Sequence, residues 1–427
     1  NKSNDWKNST AYRRFCHSKS PQINSLISKI TQSVFGFRKR FFILMSEFKL
    51  NPNHSLFTKH FISLYKKKSL LKPGKNIIFY ILSLIYGSLT TIRNCFFDWG
   101  ILKQHSFDMP VISIGNLAVG GTGKTPHTEF LIRQLSEKFR TAVLSRGYRR
   151  KTTNFVLADT NSTAQSIGDE PFQIFGKFPQ VTVAVDEKRV RGIQNLLKIH
   201  PDVQVIILDD GFQHRYVKPG LSILLTDYAN LYTDDYMLPY GTLREFKTNS
   251  KRADMVVITK CPEETQPDEC KSIAAKLALK PHQKLFFSTF EYGQIYPVFP
   301  EVIRKPLPEI TSETNVLLVT GIVKPQPMLD WLKKNTQKVK TRFYPDHHDF
   351  DKKDISEIEK DFIDLRGDKL ILTTEKDAAR LKSNPDLTEK IKKSLYALPL
   401  EVKILNNEQD IFIQKIQDYV RKNSGNR

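Results

Sequence analysis

The run Gly120-Gly121-Thr122-Gly123-Lys124-Thr125 holds residue types at a spacing that can do chemistry. A glycine-dense turn feeding a helix N-terminus aims backbone N–H groups at a common anion. A lysine at its end reaches the outer phosphates of a nucleotide, and the next hydroxyl, here Thr125, can ligate the magnesium such a nucleotide carries. The usual spacing places a glycine where this chain has Ala118, and Gly120 and Gly121 move the flexible positions inward. Glycines also serve ordinary tight turns. Gly-Lys-Thr at a strand-to-helix junction tips the reading toward a bound nucleoside triphosphate.

Carboxylates and arginines supply the rest of a phosphoryl-transfer inventory. Asp209-Asp210 ends the apolar run 203–208, where paired acids can hold magnesium directly or through water. An Asp-Asp turn is also a common loop. Gln213 and His214 follow, able to orient the metal's waters or a phosphate, or to pack the turn. Gly168-Asp169-Glu170-Pro171 precedes a helical pattern, and taken alone Asp169 reads as an N-cap rather than a base. Arg146, Arg149 and Arg150 around Gly147 make an anion clamp. Arg244-Glu245 offers a guanidinium and a carboxylate in a turn. Tyr344-Pro345-Asp346-His347-His348 and Thr373-Thr374-Glu375-Lys376-Asp377 each follow a strand pattern.

The elements that position these groups follow from apolar periodicity. Strands are expected at 110–115, 141–145, 181–185, 203–208, 221–226 and 254–259. Several are continuous apolar runs, as in parallel strands covered on both faces. Helical patterns at 188–199 and 271–279 complete a nucleotide-binding sheet with helices on both sides. The Phe-, Tyr- and Pro-rich stretch 284–306 reads as a hairpin into a second unit. Strands at 315–320, 339–344, 370–373 and 402–405 then alternate with helices at 326–334, 354–362 and 409–421. The expected fold class is α/β: a P-loop parallel sheet with a smaller second α/β lobe and an N-terminal membrane-associated helix. The expected divisions are a disordered or non-native extension at 1–44, an N-terminal helical membrane-associated region at 45–109, a P-loop core at 110–294 and the second lobe at 295–427.

The chain has 427 residues, with 40% hydrophobic and 26% charged, a globular composition. Cys16, Cys95, Cys261 and Cys270 lack ligand-like spacing, which argues against a disulfide scaffold or zinc site and fits a reducing compartment. A formal net charge of +21 points to an anionic partner: nucleic acid, an anionic membrane surface or a phosphorylated substrate. The basic residues are spread out rather than interleaved with aromatics, which argues against nucleic acid. Between Lys75 and Arg93 the chain is uncharged and apolar, at the short edge of what spans a bilayer, and it carries Tyr80 and Tyr86. Basic residues flank it on both sides. A helix lying in one leaflet and a buried core helix both account for this composition; a cleaved signal peptide does not.

Read in order, these blocks resemble the tetraacyldisaccharide 4'-kinase family of lipid A biosynthesis. The blocks are Gly115-Asn116 with Gly120–Pro126, Ser145–Tyr148, Gly168–Pro171, Asp209–His214, Leu238-Pro239 through Glu245, Arg252-Ala253-Asp254 and Asp346-His347. The atypical phosphate loop and the hydrophobic segment with Ile85-Tyr86-Gly87 belong to the family pattern as well. The resemblance implies an ATP- and Mg²⁺-dependent kinase. It would phosphorylate the 4'-hydroxyl of an acylated disaccharide 1-phosphate lipid at the cytoplasmic face of the bacterial inner membrane. It also implies that Asp169 is the base, supported by a histidine best matched by His347, and that Glu170, Asp209, Asp210 and Gln213 manage magnesium and phosphate. Lys124 and Arg244 would offset charge on the transferring group, Glu245 would join Gln213 and His214 in orienting metal or phosphate, and Arg146, Arg149 or Arg150 would receive the 1-phosphate. The competing readings are a membrane-associated P-loop ATPase or GTPase and a nucleotide-binding scaffold without chemistry.

Overall fold

The computed structural model describes residues 77–302, 308–346 and 348–424. They fall into two compact units: 77–102 with Tyr236–Phe246, and Lys103–Asp235 with Lys247 onward.

The first unit is built on α1 (Ile77–Asp98). Its buried positions are Ser83, Gly87, Thr90, Asn94 and Phe97, a helical stripe that is mostly small and polar. Its large apolar residues Ile77, Tyr80, Ile81, Leu84, Ile85 and Ile92 are exposed. The buried hydroxyls are satisfied inside the helix, Ser83 donating to the Tyr80 carbonyl and Thr90 to that of Gly87. Gly87 admits Phe246, whose ring would lie 2.5 Å from a Cβ there. Tyr86 donates to the Arg244 carbonyl, and the Tyr80 ring meets Tyr240 edge-on. The polarity of α1 is therefore inverted relative to a water-facing helix. Among the described residues no helix is long and apolar enough to cross a membrane.

The second unit carries two sheets. The larger has nine strands in the order β14-β8-β7-β6-β1-β5-β2-β4-β3. In chain order these begin with β1 (Val111–Asn116), α2 (Lys124–Ser136), β2 (Thr141–Ser145), β3 (Val156–Leu157), α3 (Ala164–Ile167) and α4 (Asp169–Lys177). Next come β4 (Thr182–Val185), α5 (Arg189–Ile199), β5 (Val205–Asp209), β6 (Leu221–Asp227), β7 (Met255–Thr259), α6 (Pro267–Leu277) and β8 (Lys284–Tyr292). All pairings from β4 across to β8 are parallel; only the edge strands β3 and β14 run antiparallel. β5 alternates Val205 and Ile207 into one core with Ile206 and Leu208 into another, which is why the run is continuously apolar.

The smaller sheet has five strands, β11-β10-β12-β13-β9. It comprises β9 (Tyr296–Pro297), β10 (Asn315–Thr320), α7 (Gln326–Asn335), β11 (Val339–Phe343), α8 (Lys352–Asp364), β12 (Lys369–Thr374), α9 (Glu375–Lys382), α10 (Glu389–Lys392) and β13 (Leu395–Leu398). Only β9 breaks the parallel run.

Two features differ from the sequence pattern. The strand expected at 402–405 as part of the second lobe is β14 (Leu400–Ile404), which pairs with β8 in the larger sheet, and α11 (Gln409–Ser424) follows it. Pro399 interrupts the chain between β13 and β14. Beyond it Val402, Ile404, Phe412, Ile416 and Val420 bury themselves in the core of the larger sheet. For the same reason 284–292 is no hairpin arm: β8 pairs with β7 and β14, strands distant in sequence.

Candidate active site

β1 occupies the sheet position where the strand order reverses: the chain next adds strands through β5 on one side and β6 on the other. In open α/β sheets ligands sit at the carboxyl ends of strands at such a point. The loop leaving β1 is the Gly120–Lys124 turn. Gly123 is the N-cap of α2 with φ +82°, and with no side chain there nothing from the cap closes off the amides of the first turn. Asn116 donates to the Thr122 hydroxyl at 2.6 Å, and Thr259 donates to the Thr122 carbonyl at 2.9 Å. Lys260, paired with Asp227 at 2.7 Å, also donates to the Gly121 carbonyl. His127 sits beneath the turn, 2.8 Å from the Gly123 carbonyl through Nδ1 and 2.9 Å from the Ser288 hydroxyl through Nε2. Burial pushes its pKa down to about 4, so it supports the loop as a neutral ring.

The acids gather beside Lys124. Its Nζ lies 3.5 Å from Asn116 Oδ1 and 3.9 Å from Asp210 Oδ1. Asp209 is buried at the end of β5; Thr128 donates to Oδ1 at 3.2 Å and Ser145 to Oδ2 at 3.4 Å. Burial and then Asp210 push its pKa up, with Lys124 and Arg189 opposing. Gln213 donates to the Asn116 carbonyl at 2.8 Å, tying the segment after the acids to the end of β1. Glu170 comes in from α4. Its pKa rises to about 7 through burial and the charge of Asp209, opposed by Lys124 and Lys376 and reinforced by Asp210. Fully buried Arg189 donates to the Asp209 carbonyl at 3.2 Å; burial lowers its pKa to about 10, so it remains a cation.

Three carboxylates thus gather about Lys124, with buried Arg189 beside Asp209 and Asp210 and Lys376 beside Glu170. Among the described residues no His, Cys, Asp and Glu side chains form a ready-made metal cage. Magnesium does not require one, since it is held by one or two carboxylates together with phosphate oxygens and water. The hard oxygen donors of Asp209, Asp210, Glu170 and Thr125 fit that ion, and burial, then the neighbouring carboxylates, push the pKa values of Glu170 and Asp209 up, a cost to ionisation that a divalent cation would offset.

A family model described as LpxK, tetraacyldisaccharide-1-P 4'-kinase, matches residues 75–421. The chain belongs to this family. It is 52% identical over 357 residues to the tetraacyldisaccharide 4'-kinase of Bacteroides thetaiotaomicron, covering 81% of this chain and 94% of that protein. It is 46% identical over 347 residues to the protein of the same name from Flavobacterium johnsoniae, covering 81% and 97%. Among solved structures it is similar to the "apo" form of LpxK from Aquifex aeolicus crystallised in complex with ATP. The TM-score is 0.62 and the identity 28%, over 80% of this chain and 98% of that one.

Set against the family motifs, the structure groups the expected residues unevenly. Lys124, Glu170, Asp209 and Asp210 share one electrostatic cluster. Asp169 opens α4 next to Glu170 and accepts from Arg380 of α9 at 2.6 and 3.0 Å. His347 lies outside the described residues. Its neighbour His348 is engaged elsewhere, 2.7 Å from Asp354 and stacked on Tyr344. Of the arginine clamp, Arg146 is exposed and Arg149, at φ +63°, lies over the Tyr148 ring. Arg150 is buried and paired with Glu187 at 2.5 Å, also bonding the Asn154 carbonyl, a role that holds its own loop together. His214 is half-buried in the turn after Gly211. Arg244 and Glu245 belong to the other unit. There Glu245 is buried, bonded to Arg93 and Asn94 of α1 at 3.2 Å each. Pattern reading passed over His127, Arg189, Lys260 and Arg380; of these His127 directly follows the Gly120–Pro126 block and Arg380 lies one helical turn after Asp377.

Proposed function

We propose that this chain transfers the γ-phosphate of ATP to the 4'-hydroxyl of a tetraacyldisaccharide 1-phosphate. The observation that carries the reading is the convergence of Lys124 with Glu170, Asp209 and Asp210 at the phosphate-binding loop, with Asp169 at the head of the helix that supplies Glu170. Lys124 and the amides at the start of α2 bind the outer phosphates and offset their charge as it shifts. Thr125 with Asp209, Asp210 and Glu170 would hold magnesium, whose chemistry is to neutralise the phosphate oxygens. Asp169 accepts the proton of the sugar hydroxyl as the new P–O bond forms and the bond to the β-phosphate oxygen breaks, releasing ADP. The histidine of the motif, His347, supports that carboxylate. Arg146 or Arg149 takes the acceptor's 1-phosphate. Gln213 and His214 orient phosphate or metal-bound water.

A tetraacylated acceptor stays in its bilayer, since each buried CH₂ is worth about 0.8 kcal/mol. The outward apolar face of α1, Ile77 through Ile92, supports membrane association: it lies in one leaflet at the cytoplasmic face of the inner membrane, with the chain's positive charge on the anionic surface. The assay is transfer of label from [γ-³²P]ATP into the disaccharide lipid. Asp169→Asn abolishes that transfer and retains nucleotide binding. Labelled inorganic phosphate without labelled lipid would instead indicate a hydrolase, and nucleotide binding with neither product a scaffold.

A further inference from the structure

The contact between α4 and α9 joins the two lobes of the second unit through charge. Asp169 at the start of α4 meets Arg380 late in α9, and Lys177 at the end of α4 meets Glu375 at the start of α9. The Lys177 end is a self-sufficient tether. Lys177 also pairs with buried Glu129 at 2.5 Å, Tyr296 donates to Glu375 at 3.0 Å, and the Leu400 amide donates to it at 3.3 Å. The Arg380 end is built differently. Nε and an Nη of Arg380 both land on Asp169 Oδ2, at 3.0 and 2.6 Å, while the other Nη donates to Asp377 Oδ1 at 3.0 Å. Arg380 is almost wholly enclosed. Asp377 is fully buried, its Oδ2 receiving Thr320 at 2.9 Å, the Gly321 amide at 2.9 Å and Thr374 at 2.7 Å. A rigid chain of bonds therefore runs from the end of β10 through Asp377 and Arg380 to one oxygen of Asp169.

We propose that Arg380 is a positioning residue for phosphoryl transfer, in which the second lobe fixes the carboxylate that accepts the proton of the acceptor hydroxyl. The inference rests on the reading of Asp169 as that base. A guanidinium locked by a buried aspartate presents its N–H groups at fixed angles, so the carboxylate it holds has one orientation rather than several rotamers. The same contact makes the geometry of the base depend on the second lobe being docked, although the nucleotide loop lies wholly in the first.

The test compares Arg380→Met, Arg380→Lys and Arg380→Ala in the lipid-labelling assay, with Tyr296→Phe as a lobe-contact control away from Asp169. Arg380→Met is expected to lower kcat on the order of 100-fold, the loss typical of a misplaced catalytic group, with the KM for ATP unchanged. Arg380→Lys recovers part of the loss, and free guanidinium restores turnover to Arg380→Ala. Tyr296→Phe lowers the melting temperature and leaves kcat alone. The proposal is overturned if Arg380→Met keeps wild-type kcat, or if its loss tracks the fraction unfolded and guanidinium restores nothing. Asp169→Asn is assayed alongside. Turnover surviving in that variant would sink the base assignment itself, whereas an inactive Asp169→Asn beside a fully active Arg380→Met would sink only the positioning role.

Discussion

Replacing Glu170 with glutamine should abolish most of the pH dependence of magnesium–nucleotide binding that this enzyme contributes. Burial and the facing charges of Asp209 and Asp210 push the Glu170 carboxyl up to about 7, against 4.5 for an unperturbed side chain. The raised value means that the fold favours the protonated form, while a metal requires the ionised one. At pH 6 a carboxyl of pKa about 7 is roughly nine-tenths protonated, and at pH 8 roughly one-tenth. Binding that must expel this proton is therefore about tenfold weaker at pH 6 than at pH 8, on the order of 1 kcal/mol. Titration calorimetry of Mg·ATP at both pH values, in buffers of different ionisation enthalpy, reads affinity and proton release together. The nucleotide's own phosphate titration is common to both proteins and cancels in the ratio of wild type to Glu170→Gln. Because Asp209 shares the same neighbours, the released proton belongs to the pair rather than to one residue. A wild-type to variant ratio that stays constant between pH 6 and pH 8 would refute the electrostatic account of the site. Without ligand the sign reverses: stability drawn from protonated Glu170 is complete below pH 4.5 and lost as the pH rises through about 7.

Two further outcomes follow from the geometry. Gly123→Ala should weaken nucleotide binding and lower the melting temperature, because φ is +82° and a Cβ would lie 2.5 Å from the Phe290 ring; the left-handed backbone alone costs roughly 1–2 kcal/mol. An unchanged KM for ATP in that variant would mean that the turn does not hold phosphate as described. Ile81→Glu combined with Leu84→Glu places two charges on the exposed apolar face of α1 and should abolish flotation with anionic liposomes while leaving nucleotide binding intact; undiminished flotation would assign membrane contact to another surface.

The sequence by itself determined the elements whose physics is local. The β5 run is apolar at every position because both faces of a central parallel strand are covered, so Val205–Leu208 announces itself without a partner. Gly123-Lys124-Thr125 is legible for the same reason: a left-handed turn before a helix needs glycine, and the lysine follows directly in the chain. The outward face of α1 was equally visible as composition, but the inverted burial of Ser83, Thr90 and Asn94 was not.

Tertiary structure decided which charged side chains meet. Asp169 and Arg380 lie 211 residues apart, and Asn94 and Glu245 lie 151 apart. Arg150 turned to Glu187 rather than outward, and His348 to Asp354. Charged residues carry little periodic signal, and their partners are set by the order in which strands enter a sheet. Nothing in the local sequence around Pro399 states that the chain recrosses from one sheet to the other there. Strand identity is written in side-chain periodicity; the pairing of distant ions is written only in topology.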